Sequence, residues 1–149
     1  MTNFTTMTNF TARMMIAAAT VVVAGGVASA QGMKAEIPFT FRAGNKVMAA
    51  GTYQVTRLSR ISGGPAFRIA NYDAGVAIIA LPYMAADASK SWLTTGDPLL
   101  AFECTDGRCA LTGLWAGRGH QAYVLYRPRA GKNEPVQIVS VAMRPDRVE

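Results

Sequence analysis

From Lys34 onward the chain is divided into short runs in which apolar and polar residues alternate, and this pattern constrains the fold more than any other feature. In the first run, Ile37, Phe39 and Phe41 fall on one face, with polar residues and Pro38 between them. A period of two is typical of a half-buried strand, and a proline within it favours an edge strand or a strand start. Turns rich in Gly and Pro separate the runs, so the sequence favours strands over long helices.

The remaining strands follow at short intervals. They are predicted at residues 51–58, 66–70, 76–81, 99–104, 109–115, 121–126 and 136–143. The run at 76–81 is apolar throughout, which predicts a central strand covered on both faces. Residues 82–98 have no clear period, and we expect a loop there with at most a short helix. Seven to eight short strands predict an all-β fold, a single small antiparallel β-barrel or sandwich.

The amino-terminal segment has the three parts of a secretory signal peptide. Arg13 precedes an apolar run at 14–27, and an Ala-Ser-Ala triplet at 28–30 provides the small residues of a cleavage site. A transmembrane helix needs about 20 mostly apolar residues, and this run is shorter and is interrupted by a threonine and two glycines. The sequence therefore predicts a cleaved signal peptide at 1–30 and a single β domain at 31–149.

Export fixes the expected compartment and limits the partners. We expect a periplasmic or secreted protein without a stable transmembrane anchor after cleavage. The whole chain carries a formal charge of +6, from 15 basic and 9 acidic residues. Removal of Arg13 leaves 14 basic residues against 9, or about +5. Outside the cytoplasm nucleic acid is not an expected partner, whereas an envelope polymer, a lipid or an apolar small molecule is consistent with the sequence.

The segment from Cys104 to Cys109 predicts a disulfide-linked hairpin. Asp106-Gly107 lies between two apolar strands and favours a two-residue type I′ turn, since both positions need positive φ. That turn places the two cysteines opposite each other at a separation that a disulfide can span. The predicted register continues with three cross-strand pairs: Thr105 with Arg108, Phe102 with Leu111 and Leu100 with Gly113.

The alternatives for this cysteine pair are a redox motif and a metal site. A thioredoxin-like motif is C-x-x-C, whereas four residues separate these two cysteines. A zinc site would require two further ligands, and His120 is the single histidine of the chain. We therefore expect a structural disulfide between Cys104 and Cys109, with no metal and no cofactor.

His120 is the one candidate for a general base. A serine hydrolase would need it beside a nucleophile and a carboxylate, and no serine of the chain lies in a G-x-S-x-G motif. His120 follows Gly117-Arg118-Gly119, a turn in which an exposed histidine is common. We assign no catalytic residue, and a small periplasmic hydrolase using His120 remains an alternative.

Aromatic residues are the other candidates for a binding site. Trp92, Trp115 and Tyr123 are predicted to line a pocket for an apolar or sugar ligand, because small barrels often hold such a ligand. The alternative is that these side chains fill the core, as large side chains often do in small barrels.

The opening of the β domain resembles that of a known group of proteins. Residues 37–41, 44–46 and 50–55 match a P-F-x-F-x-x-G-x-K…A-G-x-Y-x-V pattern that is typical of a family of small exported bacterial β-rich proteins. A later aromatic strand, turn and strand of that family resemble residues 102–115. The resemblance implies a β-rich exported domain and no catalytic residue. The cysteine pair and the last strand depart from it.

The sequence as a whole predicts an exported, non-enzymatic binding or envelope-associated module with an unidentified ligand. Two alternatives remain, the hydrolase using His120 and a purely structural envelope protein.

Overall fold

The structure is a computed structural model that describes residues 32–61, 63–125 and 134–146. The predicted signal peptide at 1–30 lies outside these residues, as does Tyr126. The described residues are mostly β, with one short helix. In chain order the elements are β1 (Met33–Ile37), β2 (Phe41–Ala43), β3 (Lys46–Met48), β4 (Gly51–Ile61), β5 (Gly64–Asn71), β6 (Val76–Ala80), β7 (Met84–Ala86), α1 (Lys90–Thr95), β8 (Leu99–Thr105), β9 (Arg108–Trp115), β10 (Ala122–Val124) and β11 (Gln137–Pro145).

The strands form one curled, open sheet, a half-barrel. Nine of them follow the order β3-β2-β9-β8-β11-β1-β4-β5-β6, and β10 joins β9 to β7 beside this path. All neighbours are antiparallel except β2 and β9, which are parallel. The prediction of an all-β fold is confirmed, but the described sheet is open between β3 and β6 rather than closed. It contains eleven strands instead of seven or eight. The first predicted run forms two strands, β1 and β2. In addition, β3 and β7 are only three residues long, which is too short to give a periodic signal in the sequence.

The inner face of the curl holds the main core. Side chains alternate between the two faces of each strand, so Leu100 and Phe102 of β8 point inward while Leu99 and Ala101 point outward. Aromatic rings occupy the middle of this core. The ring of Phe41 lies 5.2 Å from that of Tyr53 and 5.3 Å from that of Phe102. Phe39 packs edge-on against Phe102 at 5.0 Å.

The disulfide-linked hairpin is confirmed. Cys104 and Cys109 are bonded with Cα atoms 4.0 Å apart, and Asp106 and Gly107 both have positive φ, 49° and 73°. The pairs Thr105 with Arg108 and Phe102 with Leu111 are also confirmed. The pair Leu100 with Gly113 is wrong. A β-bulge shifts the register, so that Gly113 lies opposite Ala101 and Leu100 lies opposite Leu114.

The strand at 76–81 is an edge strand, not the central strand that its apolar sequence predicts. Among the strands that the structure describes, β6 is the last of the sheet, and it pairs with β5 alone. Ile78 is half-buried against the core, whereas Ile79 on the outer face is 57% exposed and Leu81 is 60% exposed. An apolar run indicates that a strand belongs to the sheet, but the number of its neighbours depends on contacts distant in sequence.

Gly51 is required by a close approach between β4 and the turn after β5. A Cβ atom at this position would lie 2.7 Å from the side-chain nitrogen of Asn71. Asn71 is buried, and its Oδ1 accepts a hydrogen bond from the Ala74 amide at 3.1 Å. We expect Gly51→Ala to lower the free energy of unfolding by about 1 to 3 kcal/mol, because Asn71 must move. Urea denaturation measures this change.

Gly64→Ala is the matched control, since no atom of the described residues beyond its chain neighbours lies within 4 Å of the added Cβ and the φ of Gly64 is not positive. We expect it to change stability by no more than about 0.5 kcal/mol. Equal stability of the two variants would contradict the packing described for Gly51.

Candidate functional site

An apolar cleft lies at the end of the half-barrel opposite the disulfide. β1 begins and β11 ends beside it, and it also borders the residues just before β8 and just after β9. Its volume is ≈ 550 Å³, which is within the range of small-molecule sites. Most of the lining side chains are apolar; the described residues that line it are Gly32, Met33, Val55, Arg57, Leu58, Phe67, Pro98, Ala116, His120, Tyr123 and Pro145. We refer to this set as the end cleft.

The end cleft begins where the buried core ends. Along the inner face of β4, Tyr53 and Val55 are buried, and Arg57 is exposed. Arg57 pairs with Phe67 of β5, whose ring lies 5.2 Å from that of Tyr123. These two rings form an aromatic wall of the cleft. The inner face of the sheet is therefore filled by side chains over most of its length and opens at this end.

The position of His120 is fixed by its backbone, while its side chain is exposed. Its amide donates to the Gly117 carbonyl at 3.1 Å, and its carbonyl accepts from Nε1 of Trp115 at 3.0 Å. Gly117 has a φ of 99°, which favours glycine in this tight turn. The turn places His120 in the lining of the end cleft next to an apolar wall.

The end cleft gives His120 no partners for hydrolysis among the described residues that line it. Nucleophilic catalysis of the serine-hydrolase kind needs a hydroxyl or thiol and a carboxylate near the histidine. The lining residues that the structure describes include no Ser, Thr, Cys, Asp or Glu. Within residues 32–61, 63–125 and 134–146 there is likewise no group of three or more His, Cys, Asp or Glu placed to hold a metal ion.

Of the three aromatic residues that the sequence predicts as ligand-binding, the structure brings Trp92 and Trp115 together on the outer face and places Tyr123 on the inner face. Trp115 is fully buried on the outer face of the sheet, where Trp92 of α1 stacks on it with ring centroids 6.2 Å apart. The ring of Tyr123 packs against the core on the inner face. Of the three, Tyr123 alone lines the end cleft as the structure describes it. Trp92 and Tyr123 also line a second cleft of ≈ 500 Å³ between α1 and the outer face.

α1 is capped at its amino end, and Arg118 of the turn after β9 binds it at its carboxyl end. Ser89 Oγ accepts a hydrogen bond from the Trp92 amide at the amino end. At the carboxyl end, the guanidinium of Arg118 donates to the Leu93 carbonyl at 2.9 Å and lies against Gly96, which has a φ of 73°. Trp92 therefore covers Trp115. The second cleft, which lies between α1 and the outer face, borders this second packed core.

Sequence reasoning missed Arg57, Leu58 and Phe67 as residues of a site. A signal for Arg57 was present, because it continues the inward series of Tyr53 and Val55 at a spacing of two. A charged residue at an inward position of a half-buried strand suggests an open end or a ligand. The participation of Phe67 depends on its pairing with β4 and could not be inferred locally.

Two further clefts border the half-barrel. One, of ≈ 680 Å³, lies at the disulfide end and includes Pro38, Phe39 and Val136. The other, of ≈ 400 Å³, lies between the two edges of the open sheet, next to Lys46 and Ile79.

Comparison with known proteins finds no matching family model, no matching curated protein and no matching solved structure. In the part of the chain that the structure describes, no helix has the length and apolar character to cross a bilayer.

The two tryptophans provide a test of the outer-face packing. We expect Trp115→Ala to lower the free energy of unfolding by about 3 to 5 kcal/mol, because it empties a fully buried site. Trp92→Ala should cost less than half as much, since Trp92 is only half-buried. Denaturant titrations followed by circular dichroism give both values. A larger loss for Trp92 than for Trp115 would show that the arrangement is wrong.

Proposed function

We propose that this chain is an exported, non-enzymatic binding module that holds an apolar small molecule in the end cleft. The observation that carries the proposal is the end cleft itself, an opening of ≈ 550 Å³ with a mostly apolar lining next to a filled core. Small-molecule sites are concave, mostly apolar and contain a few polar groups that orient the ligand. Arg57 and His120 are such groups at the end cleft.

Two features support export. The first is the arrangement of Arg13, the apolar run at 14–27 and the small residues at 28–30 in the sequence. The second is the bond between Cys104 and Cys109, since disulfides persist in oxidising compartments such as the periplasm and the extracellular medium. Together they favour a periplasmic or secreted protein.

The alternatives have weaker support. Hydrolysis by His120 would require a nucleophile and a carboxylate that the described lining of the end cleft does not provide. A purely structural envelope protein would have no need of an open apolar cleft at the end of its core. Burial of apolar surface is favourable, so an empty apolar cleft is a cost to stability that ligand binding would offset.

Partly filling the end cleft should weaken binding. Ala116 is half-buried and lines the cleft, so the ring introduced by Ala116→Phe occupies part of its volume. We expect the mature protein to bind the neutral fluorescent probe N-phenyl-1-naphthylamine saturably, and Ala116→Phe to weaken this binding by about tenfold or more, roughly 1.4 kcal/mol. Fluorescence titration measures the dissociation constants.

Ala74→Phe adds the same ring in an exposed turn outside the cleft, and it should bind the probe as the unmodified protein does. Circular dichroism establishes that each variant is folded. Absence of saturable binding by the unmodified protein, or equal affinities for a folded Ala116→Phe variant and its control, would refute the proposed site.

The export part of the proposal has its own test. We expect protein isolated after expression from the full chain to begin at Gln31, with a mass lower by two hydrogens than that of the reduced form. Intact-mass spectrometry before and after reduction measures both quantities. An unprocessed amino terminus, or free thiols at Cys104 and Cys109, would contradict export.

A further inference from the structure

Arg57 is an inward-facing cation at the boundary between the core and the end cleft. It follows the buried residues Tyr53 and Val55 at alternate positions of β4, so all three share the inner face of the sheet. Arg57 itself is exposed, and it lies opposite Phe67 in the register of β4 with β5. An arginine at this position places a positive charge at the entrance to an apolar space.

The guanidinium of Arg57 takes part in no hydrogen bond or ion pair with any other described residue. The exposed pair of Arg144 with Glu36, by contrast, joins β11 to β1 at 3.2 Å. No acidic residue is among the described residues that line the end cleft, and His120 is the other lining residue whose side chain carries nitrogen. The cleft therefore combines an apolar wall with a cation that is available to an outside anion.

The chemistry of a guanidinium determines which anions suit this position. Its planar fork matches the two oxygens of a carboxylate or a phosphate, and it is more weakly hydrated than an ammonium group. Next to it, Met33, Leu58 and Tyr123 are half-buried and offer apolar surface that a hydrocarbon chain would cover. The buried ring of Phe67 lies behind this surface. The net positive charge of the chain attracts anions at long range.

We propose that the end cleft selects a single-chain amphiphile whose anionic head, a carboxylate or a phosphate, pairs with Arg57 while its hydrocarbon chain packs against Leu58 and Tyr123. This inference rests on the function proposed above and adds the class of ligand. A neutral apolar molecule would fill the same space without a partner for the guanidinium.

The test compares three ligands that share one hydrocarbon chain: dodecanoate, dodecyl phosphate and the neutral dodecanol. Each is titrated, below the concentration at which it forms micelles and above neutral pH, where the carboxylate is ionised. The readout is displacement of N-phenyl-1-naphthylamine from the mature protein, from Arg57→Gln and from Arg68→Gln. Arg68 is the matched control, since it lies next to Phe67 on β5 and bonds to Tyr72 instead of lining the cleft.

We expect at least one of the two anions to bind about tenfold or more tightly than dodecanol to the unmodified protein and to Arg68→Gln. In Arg57→Gln this preference should disappear while dodecanol binds as before. Tighter binding of dodecanoate would identify a fatty-acid head, and tighter binding of dodecyl phosphate a lipid-phosphate head; either supports the inference.

Two results would overturn it, and they are distinguishable. If the probe binds but the anions and dodecanol compete equally, or the preference survives in Arg57→Gln, the anionic ligand class is wrong and the apolar binding site stands. If neither the probe nor any of the three ligands binds, the proposed function fails together with this inference.

Discussion

The contact between Phe41 and Tyr53 is the interaction on which the rest of the structure depends. These residues lie on β2 and β4, which are five steps apart in the strand order. In a flat sheet, five steps at about 4.8 Å would separate the strands by roughly 24 Å. The ring centroids are 5.2 Å apart, so the sheet must curl to bring them together. Phe102 of β8, a strand that lies between β2 and β4 in this order, also packs against Phe41. The half-barrel is thus a sheet wrapped around an aromatic cluster.

The end cleft begins where this aromatic cluster ends. Aromatic rings fill the middle of the inner face, and the disulfide ties the hairpin of β8 and β9 at one end. At the other end the inward positions of β4 pass from Val55 to Arg57, and a long charged side chain does not continue a dry core. The end cleft follows from this change. The cation of the cleft therefore comes from β4, and its aromatic wall comes from Phe67 of β5 and Tyr123 of β10.

Local features of the fold could be predicted from the sequence, and non-local ones could not. The turn at Asp106-Gly107 and the pairing of Cys104 with Cys109 depend on six consecutive residues, and both are confirmed. The bulge that moves Gly113 opposite Ala101 depends on how two long strands fit together, and the edge position of β6 depends on the whole strand order. The separation of Trp92 and Trp115 from the end cleft likewise follows from the faces of a sheet whose order was unknown.

The sequence pattern at residues 37–41, 44–46 and 50–55, the opening motif, has a structural explanation. Phe41, Tyr53 and Val55 are buried, and Phe39 packs against the same cluster. Gly44 has a φ of 58° in the turn between β2 and β3, and Gly51 allows the close approach of Asn71. The motif residues thus build the curl of the sheet. Arg57, the residue on which the ligand class depends, lies two positions beyond the motif, so the class of ligand is argued from the cleft.

The most direct test of the account is to map ligand contacts by nuclear magnetic resonance. Backbone amide shifts of the isotope-labelled mature protein would be followed during titration with dodecanoate. The account predicts the largest changes at Leu58, Ala116 and Tyr123, with little change at Trp92 or around the disulfide. Changes centred on the outer face or on the hairpin of Cys104 and Cys109, or no saturable change at all, would contradict it.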